Sequence, residues 1–459
     1  MKRVIFIQLF LLVCTVCMAD IVVIPSQTTG KIKPMNAVNN GPVRIRSDQS
    51  RGNFPTYEAA KIPFARTHDA SFFSAYGGHH SVDITGIFPD FSKDANDPAS
   101  YDFVLTDEYL ESIQDAGTKV FFRLGQRIEH EKKKYGILPP ADFQKWAVIC
   151  EHIIRHYTEG WANGFRWDIQ YWEIWNEPDL DAGEAWKTNP RTWGGSEQQF
   201  FEFYRIAANH LNKCFPHLKI GGPAICGDEN WGDRFLAYMS KNKVEMDFFS
   251  WHIYSNRPNH MSEKADRMRK MMDKYGYTKA ESILNEWNFV EGWSKEFPYT
   301  AKTISEMKGA SFLAAVMSAC QDKPVDMLMY YDARPSTVFN GLWDFYTYAP
   351  TRGYYGIYAW SKLVQYGQQI KVESDYIDVY VTAAKDNSGK MAIFIVRFSG
   401  DNNICAAEKY KVRIDNKSVK QAVAHLTDDY HIYTEVPVNI QNGEMEVQLE
   451  PNSFIMIEL

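Results

Sequence analysis

The sequence predicts an α/β fold, a (β/α)8 barrel followed by a C-terminal all-β sandwich. Three observations predict it. Short apolar runs rich in aromatic and β-branched residues alternate with amphipathic helical stretches from about residue 31 to 370. Eight such runs can be counted. From 371 to 459 the helical spacing stops, and strand-like runs follow one another across turn signals.

The strand runs of the barrel are Lys31–Val43, Ile62–Asp69, Lys119–Gln126, Gln170–Glu177, Leu218–Ile225, Asp247–Tyr254, Ser282–Trp287 and Asp326–Asp332. Between most of them, apolar residues recur at helical spacing: Pro140–Thr158, Glu197–Cys214, Ser262–Tyr275, Thr303–Ala319 and Tyr354–Tyr366. The second region offers Tyr376–Val381, Met391–Val396, Tyr410–Ile414, His431–Val436, Met445–Leu449 and Ile455–Leu459 as strands. Asn387-Ser388-Gly389 and Asn442-Gly443 mark turns among them. Residues 20–30 precede the barrel, and the β-prone Ile21–Ile24 is a candidate strand for the second domain.

Composition narrows the function. The 459 residues exceed one small core, so a large domain with a smaller one is expected. Formal charge is −7 with no basic patch, which argues against nucleic acid. Aromatic residues make up 15% of the chain, a composition that suits stacking on sugar rings as well as core packing. Residues 1–19 combine a basic start, an apolar run and a small residue at Ala19, and are expected to be a cleaved secretory signal. Cys14 and Cys17 leave a lipoprotein signal as the alternative. No later run is apolar enough for a membrane span. The five remaining cysteines, at 150, 214, 226, 320 and 405, are scattered and lack metal-ligand or disulfide-framework spacing. His79-His80 and the stretch from Asp94 to Asp97 read as loops before they read as metal sites.

The chemistry is carried by two motifs. In Tyr171-Trp172-Glu173-Ile174-Trp175-Asn176-Glu177-Pro178 a buried-type strand stops at a proline, which cannot continue a ladder. Asn176 and Glu177 therefore fall at a strand end. Ser282-Ile283-Leu284-Asn285-Glu286-Trp287-Asn288 repeats the arrangement. In a barrel of this type the active site lies at the carboxyl ends of the strands. Two carboxylates there are what hydrolysis of a glycosidic bond requires.

These residues, with Trp251-His252-Ile253-Tyr254 at the sixth run and Arg66-Thr67-His68 at the second, resemble clan A glycoside hydrolases, most of all family 39. The resemblance covers most of the chain and implies a barrel with a β-sandwich. It implies a retaining hydrolase with Glu177 as general acid/base, Glu286 as nucleophile and Asn176 contacting the sugar 2-hydroxyl. Arg66 and Tyr254 are the candidate partners holding Glu286 ionised. His252 and His68 are candidate contacts of sugar or acid. Trp287 and Trp343 are either stacking platforms or core. Asp332 and Arg334 stand where the family's xylosidases carry acidic sugar-binding residues. They form either an ion pair or, through Arg334, a clamp for a substrate carboxylate. The expected enzyme acts on plant or microbial polysaccharide fragments, xylosidase-like, with arabinosidase, uronic-acid-directed or endo-acting variants as alternatives. It is expected to use no metal and no organic cofactor. A non-catalytic carbohydrate-binding protein is the competing class.

Overall fold

The computed structural model describes residues 20–44, 52–68 and 81–459. The expected signal at 1–19 and the His79-His80 pair lie outside these residues. Strand β1 (Ile21–Lys31) comes first. Then β2 (Ala37–Asn39), β3 (Phe64–Arg66), β4 (Lys119–Leu124), β5 (Tyr171–Ile174), β6 (Lys219–Ile225), β7 (Phe248–Ser255), β8 (Glu281–Phe289) and β9 (Met327–Tyr330) close into a parallel barrel in chain order. Each lies within or beside a strand run of the sequence. The observed strands are mostly shorter, because the runs extend into the loops that build the site.

Side chains alternate along each strand, and the alternation sorts the barrel into layers. Ala37, Phe121, Tyr171, Phe248, Ile283, Met327 and Met329 fill the amino-terminal end of the interior as an apolar plug. Phe121 stacks on Tyr171 at 5.1 Å and meets Phe248 at 5.2 Å. Two residues further along come Asn39, Arg123, Glu173, Ser250 and Asn285, with Arg66 beyond Phe64, all fully buried. The residues between them, such as Phe122, Trp172, Trp251 and Leu284, face outward and pack with the helices. Burial on both sides explains why these runs read as nearly continuous apolar segments.

Strand β1 turns away from the barrel. It pairs antiparallel with β10 (Gln368–Glu373) and parallel with β13 (Glu408–Ile414). With β11 (Val379–Lys385), β12 (Met391–Arg397), β14 (Val423–Thr427), β15 (Thr434–Val436), β16 (Glu444–Leu449) and β17 (Ser453–Glu458) they make a nine-stranded mixed sheet, in the order β15-β14-β17-β12-β11-β10-β1-β13-β16. Residues from both ends of this order, Ala424 on β14 and Met445 on β16, share one apolar cluster with Ile393, Ile395 and Val412. The sheet thus curls over its own core as one hydrogen-bonded layer. Its other face carries Ala392, Phe394, Val396, Phe454 and Met456, which join the core of the barrel's helix layer. Phe394 meets Trp360 at 6.4 Å, and Phe398 meets Phe312 at 5.5 Å. Strand β14 and the helices Val104–Asp115 and Glu229–Lys241 were not among the expected elements. Among the described residues, no helix is long and apolar enough to cross a membrane.

The two cores meet at Phe394. We expect Phe394→Ala to cost roughly 3–5 kcal/mol and to lower the unfolding midpoint of barrel and sheet together in urea. A barrel transition that stays in place while the sheet melts would refute that coupling.

Candidate active site

The backbone after β5 is bent before any side chain acts. Trp175 (φ 75°) and Glu177 (φ 48°) are both left-handed, on either side of Asn176. Non-glycine residues there cost roughly 1–2 kcal/mol each, so neighbouring loops must hold them. The Trp175 N–H donates to the Leu124 carbonyl at 2.8 Å, and the Glu177 N–H to the Ala224 carbonyl at 3.0 Å. Thr192 Oγ1 donates to the Glu177 carbonyl at 2.7 Å. The Asp181 carboxylate collects the N–H groups of Arg191, Thr192 and Trp193 at 2.6–3.0 Å. The Asp179 carboxylate collects those of Cys226, Gly227 and Asp228 at 2.8–3.0 Å. The bend turns Trp175 outward onto Trp193 and Phe203 at 5.2–5.3 Å. Glu177 is left inside the barrel mouth, buried.

A second irregularity delivers Glu286. Register between β7 and β8 runs Trp251↔Leu284 and then His252↔Glu286, so Asn285 is an extra, bulged residue. In a regular strand Asn285 and Glu286 would face opposite ways. The bulge lets both face the interior, the re-aiming that such bulges perform beside active sites. Beyond it Trp287 points outward, edge-on to Tyr330 at 5.4 Å and fully buried.

The Arg66 guanidinium ties these parts together. Its Nε donates to Glu173 Oε2 at 2.7 Å. Its Nη1 donates to Asn39 Oδ1 at 3.1 Å and to Glu286 Oε2 at 3.2 Å. Its Nη2 donates to Asn176 Oδ1 at 2.6 Å. Glu173 is held in turn by Ser250 Oγ at 2.6 Å and by the Asn285 carboxamide. Burial opposes the Arg66 charge, but Glu173 and Glu286 outweigh it and raise its pKa.

The two motif glutamates converge. Tyr254 O–H donates to Glu286 Oε1 at 2.6 Å. His252 Nδ1 lies 2.7 Å from Glu177 Oε1 and 3.7 Å from Glu286 Oε2. One carboxylate oxygen of each glutamate and that nitrogen all fall within 4.8 Å of one another. His68 Nε2 is 3.5 Å from Glu286 Oε2. Burial pushes Glu286 up to about 7, with the charge of Glu177 adding to it and His252, Arg66 and Tyr254 pulling against it. Burial takes His252 down to about 4, although the Glu286 charge opposes this. Burial, aided by Arg66, holds His68 well below its ordinary value. Asn176 Nδ2 and His252 Nε2 are buried without a hydrogen-bond partner among the described residues.

Of the expected site residues, Glu177, Glu286, Asn176, His252, Tyr254, Arg66 and His68 come together. Three alternatives left open by the sequence take one of their two forms. Trp287 is core, for the register reason above. Trp343 is core too, stacked on Tyr57 at 5.7 Å with its N–H on Thr56 Oγ1 at 2.8 Å. Arg334 places Nε and Nη2 on Asp332 Oδ2 at 2.8 and 2.7 Å, the ion pair that was one of its two readings. Asp332 Oδ1 also accepts from Asn40 Nδ2 at 3.0 Å. Glu173 was overlooked. Its signal was a charge inside an otherwise apolar strand, two residues before the bend. Trp293, 61% exposed and edge-on to Tyr254 at 5.1 Å, carried no motif at all.

Known proteins resemble this chain in sequence and in fold. The family model described as Glycosyl hydrolases family 39 matches residues 73–339, more than half of the chain. A β-xylosidase of Geobacillus stearothermophilus is 28% identical over 191 residues, 39% of this chain and 35% of that protein. A β-xylosidase of Caldicellulosiruptor saccharolyticus is 27% identical over 167 residues, 34% of this chain and 31% of that protein. The chain thus spans about a third of the length of the curated relatives it matches. The crystal structure of a glucosidase from Croceicoccus marinus superposes with a TM-score of 0.78 at 20% identity, over 96% of this chain and 98% of that one. A monomeric β-xylosidase from Caulobacter crescentus gives 0.68 at 15% identity, over 95% and 98%. These two likenesses establish the shared fold. The family match covers more than half of the chain and both glutamate motifs, and the chain belongs to glycosyl hydrolase family 39.

Proposed function

We propose that the chain is a secreted, retaining β-xylosidase-like enzyme with Glu286 as nucleophile and Glu177 as acid/base. The observation that supports the mechanism is the approach of one oxygen of each carboxylate to within 4.8 Å of the other, with no gap between the groups wide enough to be read as an inverting pair's. Retaining pairs stand about 5–5.5 Å apart, whereas inverting pairs need about 6.5–9.5 Å to admit a water between them. The substrate rests on the two β-xylosidase relatives. The pairing of Arg334 with Asp332 makes the uronic-acid alternative the less favoured one. Export rests on residues 1–19 and their leader-like pattern.

In the first step a Glu286 oxygen attacks the anomeric carbon while Glu177 gives its proton to the departing glycosidic oxygen. In the second, Glu177 takes a proton from water, the water oxygen attacks the same carbon, and Glu286 leaves as carboxylate. Asn176, oriented by Arg66, keeps its N–H2 free to donate to a sugar hydroxyl. With two buried carboxylates so close, ionisation of one resists ionisation of the other. A Glu286 raised to about 7 fits a pair that holds a single proton near neutrality.

A panel of aryl β-xyloside, α-L-arabinoside, β-glucoside, β-galactoside and α-L-iduronide tests the substrate. Cleavage of the β-xyloside, with the β-anomer as the first product by NMR, is expected. Inversion would exclude the retaining mechanism, and preference for another member would move the substrate. Glu286→Ala should abolish turnover on every substrate. Glu177→Ala should lose about 10²–10⁴-fold on poor leaving groups and little on activated aryl glycosides. Equal losses on both would contradict the acid role. Because Glu286 must be ionised, kcat/KM should fall as pH drops through about 7. Tyr254→Phe removes a donor that favours the ionised form, so this limb should move to higher pH by about one unit. A limb that stays put would show that the hydroxyl does not tune Glu286.

A further inference from the structure

A second group of ligand-type side chains lies on the outer helices, away from the barrel mouth. Glu151 belongs to the helix Phe143–Thr158, and His210 and Cys214 to the neighbouring helix Glu197–Cys214. His210 and Cys214 are four residues apart and so share one helix face. His210 Nε2 is 2.6 Å from Glu151 Oε2 and 3.8 Å from Cys214 Sγ. One carboxylate oxygen, one imidazole nitrogen and one sulfur all lie within 4.8 Å of one another. We propose that Glu151, His210 and Cys214 form a binding site for a thiophilic divalent cation such as zinc.

The geometry and the surroundings both fit such an ion. Tetrahedral zinc, with bonds of about 2.0–2.3 Å, holds its ligand atoms roughly 3.3–3.6 Å apart. Here that needs shifts of about an ångström. A single Nε2 proton cannot serve both the carboxylate and the sulfur well, whereas a metal in its place serves all three. His210 Nδ1 lies 2.9 Å from the Gln144 side-chain amide. Turned over, that amide would accept from Nδ1–H and fix the tautomer that leaves Nε2 for the metal. Glu151 Oε1 accepts from Arg155 Nε at 2.9 Å, which holds the carboxylate in place. Burial works against Glu151 ionisation, but Arg155 and His210 prevail and keep it ionised. Cys214 ends its helix, where the carbonyl ends of the peptide dipoles favour a cation. Glu151 and His210 are 16% and 18% exposed, which leaves solvent access for a water as fourth ligand. Burial raises the Cys214 thiol, so the cation must displace its proton and should bind more tightly as pH rises.

Cobalt(II) is the probe, because sulfur ligation gives a thiolate-to-metal charge-transfer band. Titration of the full chain should produce a saturable band that zinc removes. The band should vanish in Cys214→Ser and in His210→Ala and persist in Cys226→Ser, the control for the thiol beside Glu177. Gln144→Ala should weaken binding about tenfold. Cobalt held by Glu177, His252 and Glu286 alone would give no thiolate band. No band at millimolar cobalt, a band that survives Cys214→Ser or His210→Ala, or one that follows Cys226 would overturn the site.

Discussion

The buried charge of Arg66 is the constraint on which the catalytic end of this barrel depends. The guanidinium is wholly removed from solvent, and its donors reach Glu173, Asn39, Glu286 and Asn176. Those partners stand on three other strands, Asn39 on β2, Glu286 on β8, and Glu173 and Asn176 on β5 and its end. A buried cation is tolerable only when paired and hydrogen-bonded, and losing one partner typically costs 3–5 kcal/mol. The same four contacts that make the charge tolerable therefore fix the register of β2, β3, β5 and β8 against one another. They also orient the Glu286 carboxylate and the amide beside Glu177.

The polar layer works because of what lies beneath it. The aromatic plug of Phe121, Tyr171 and Phe248 closes the amino-terminal end of the barrel and keeps water from the charged layer on that side. In this dry setting each electrostatic contact is worth more than in water. That setting raises Glu286 toward neutrality while Arg66 and Tyr254 pull against burial. Burial favours the protonated form of Glu286, and its neighbours Arg66 and Tyr254 favour the ionised one.

Two irregular stretches of backbone shape the site, and both are held by polar staples. The left-handed residues around Asn176 are pinned by the β4, β6 and Thr192 contacts, with Asp179 and Asp181 gathering backbone donors on either side. The bulge at Asn285 is held by the bond of that residue to Glu173. Both devices turn a glutamate inward from a position where a regular strand would not present it. The nine-stranded sheet supports the same end indirectly, because Phe394 and Phe398 extend the core that packs the helices behind β8 and β9.

Much of this was legible in the chain alone. The apolar runs and their helical partners gave the barrel and its strand count, because burial on both faces leaves a dense, one-dimensional signal. Glu177 and Glu286 were legible because a proline or a polar residue ends an apolar run beside them. Arg66, His68, His252 and Tyr254 were legible through motif resemblance. Which side of a strand a residue faces was not. Trp287 and Glu286 are adjacent, and one bulged residue in the tertiary pairing decides which of them enters the site. Nor could the chain say whether Arg334 takes Asp332 or a ligand, since that choice depends on distances across folded loops. Glu173 reads as an oddity in sequence and becomes indispensable only when β3 and β8 bring Arg66 and Asn285 to it. Pattern fixes elements and strand ends locally, but register, bulges and charge pairing are settled only when distant segments meet.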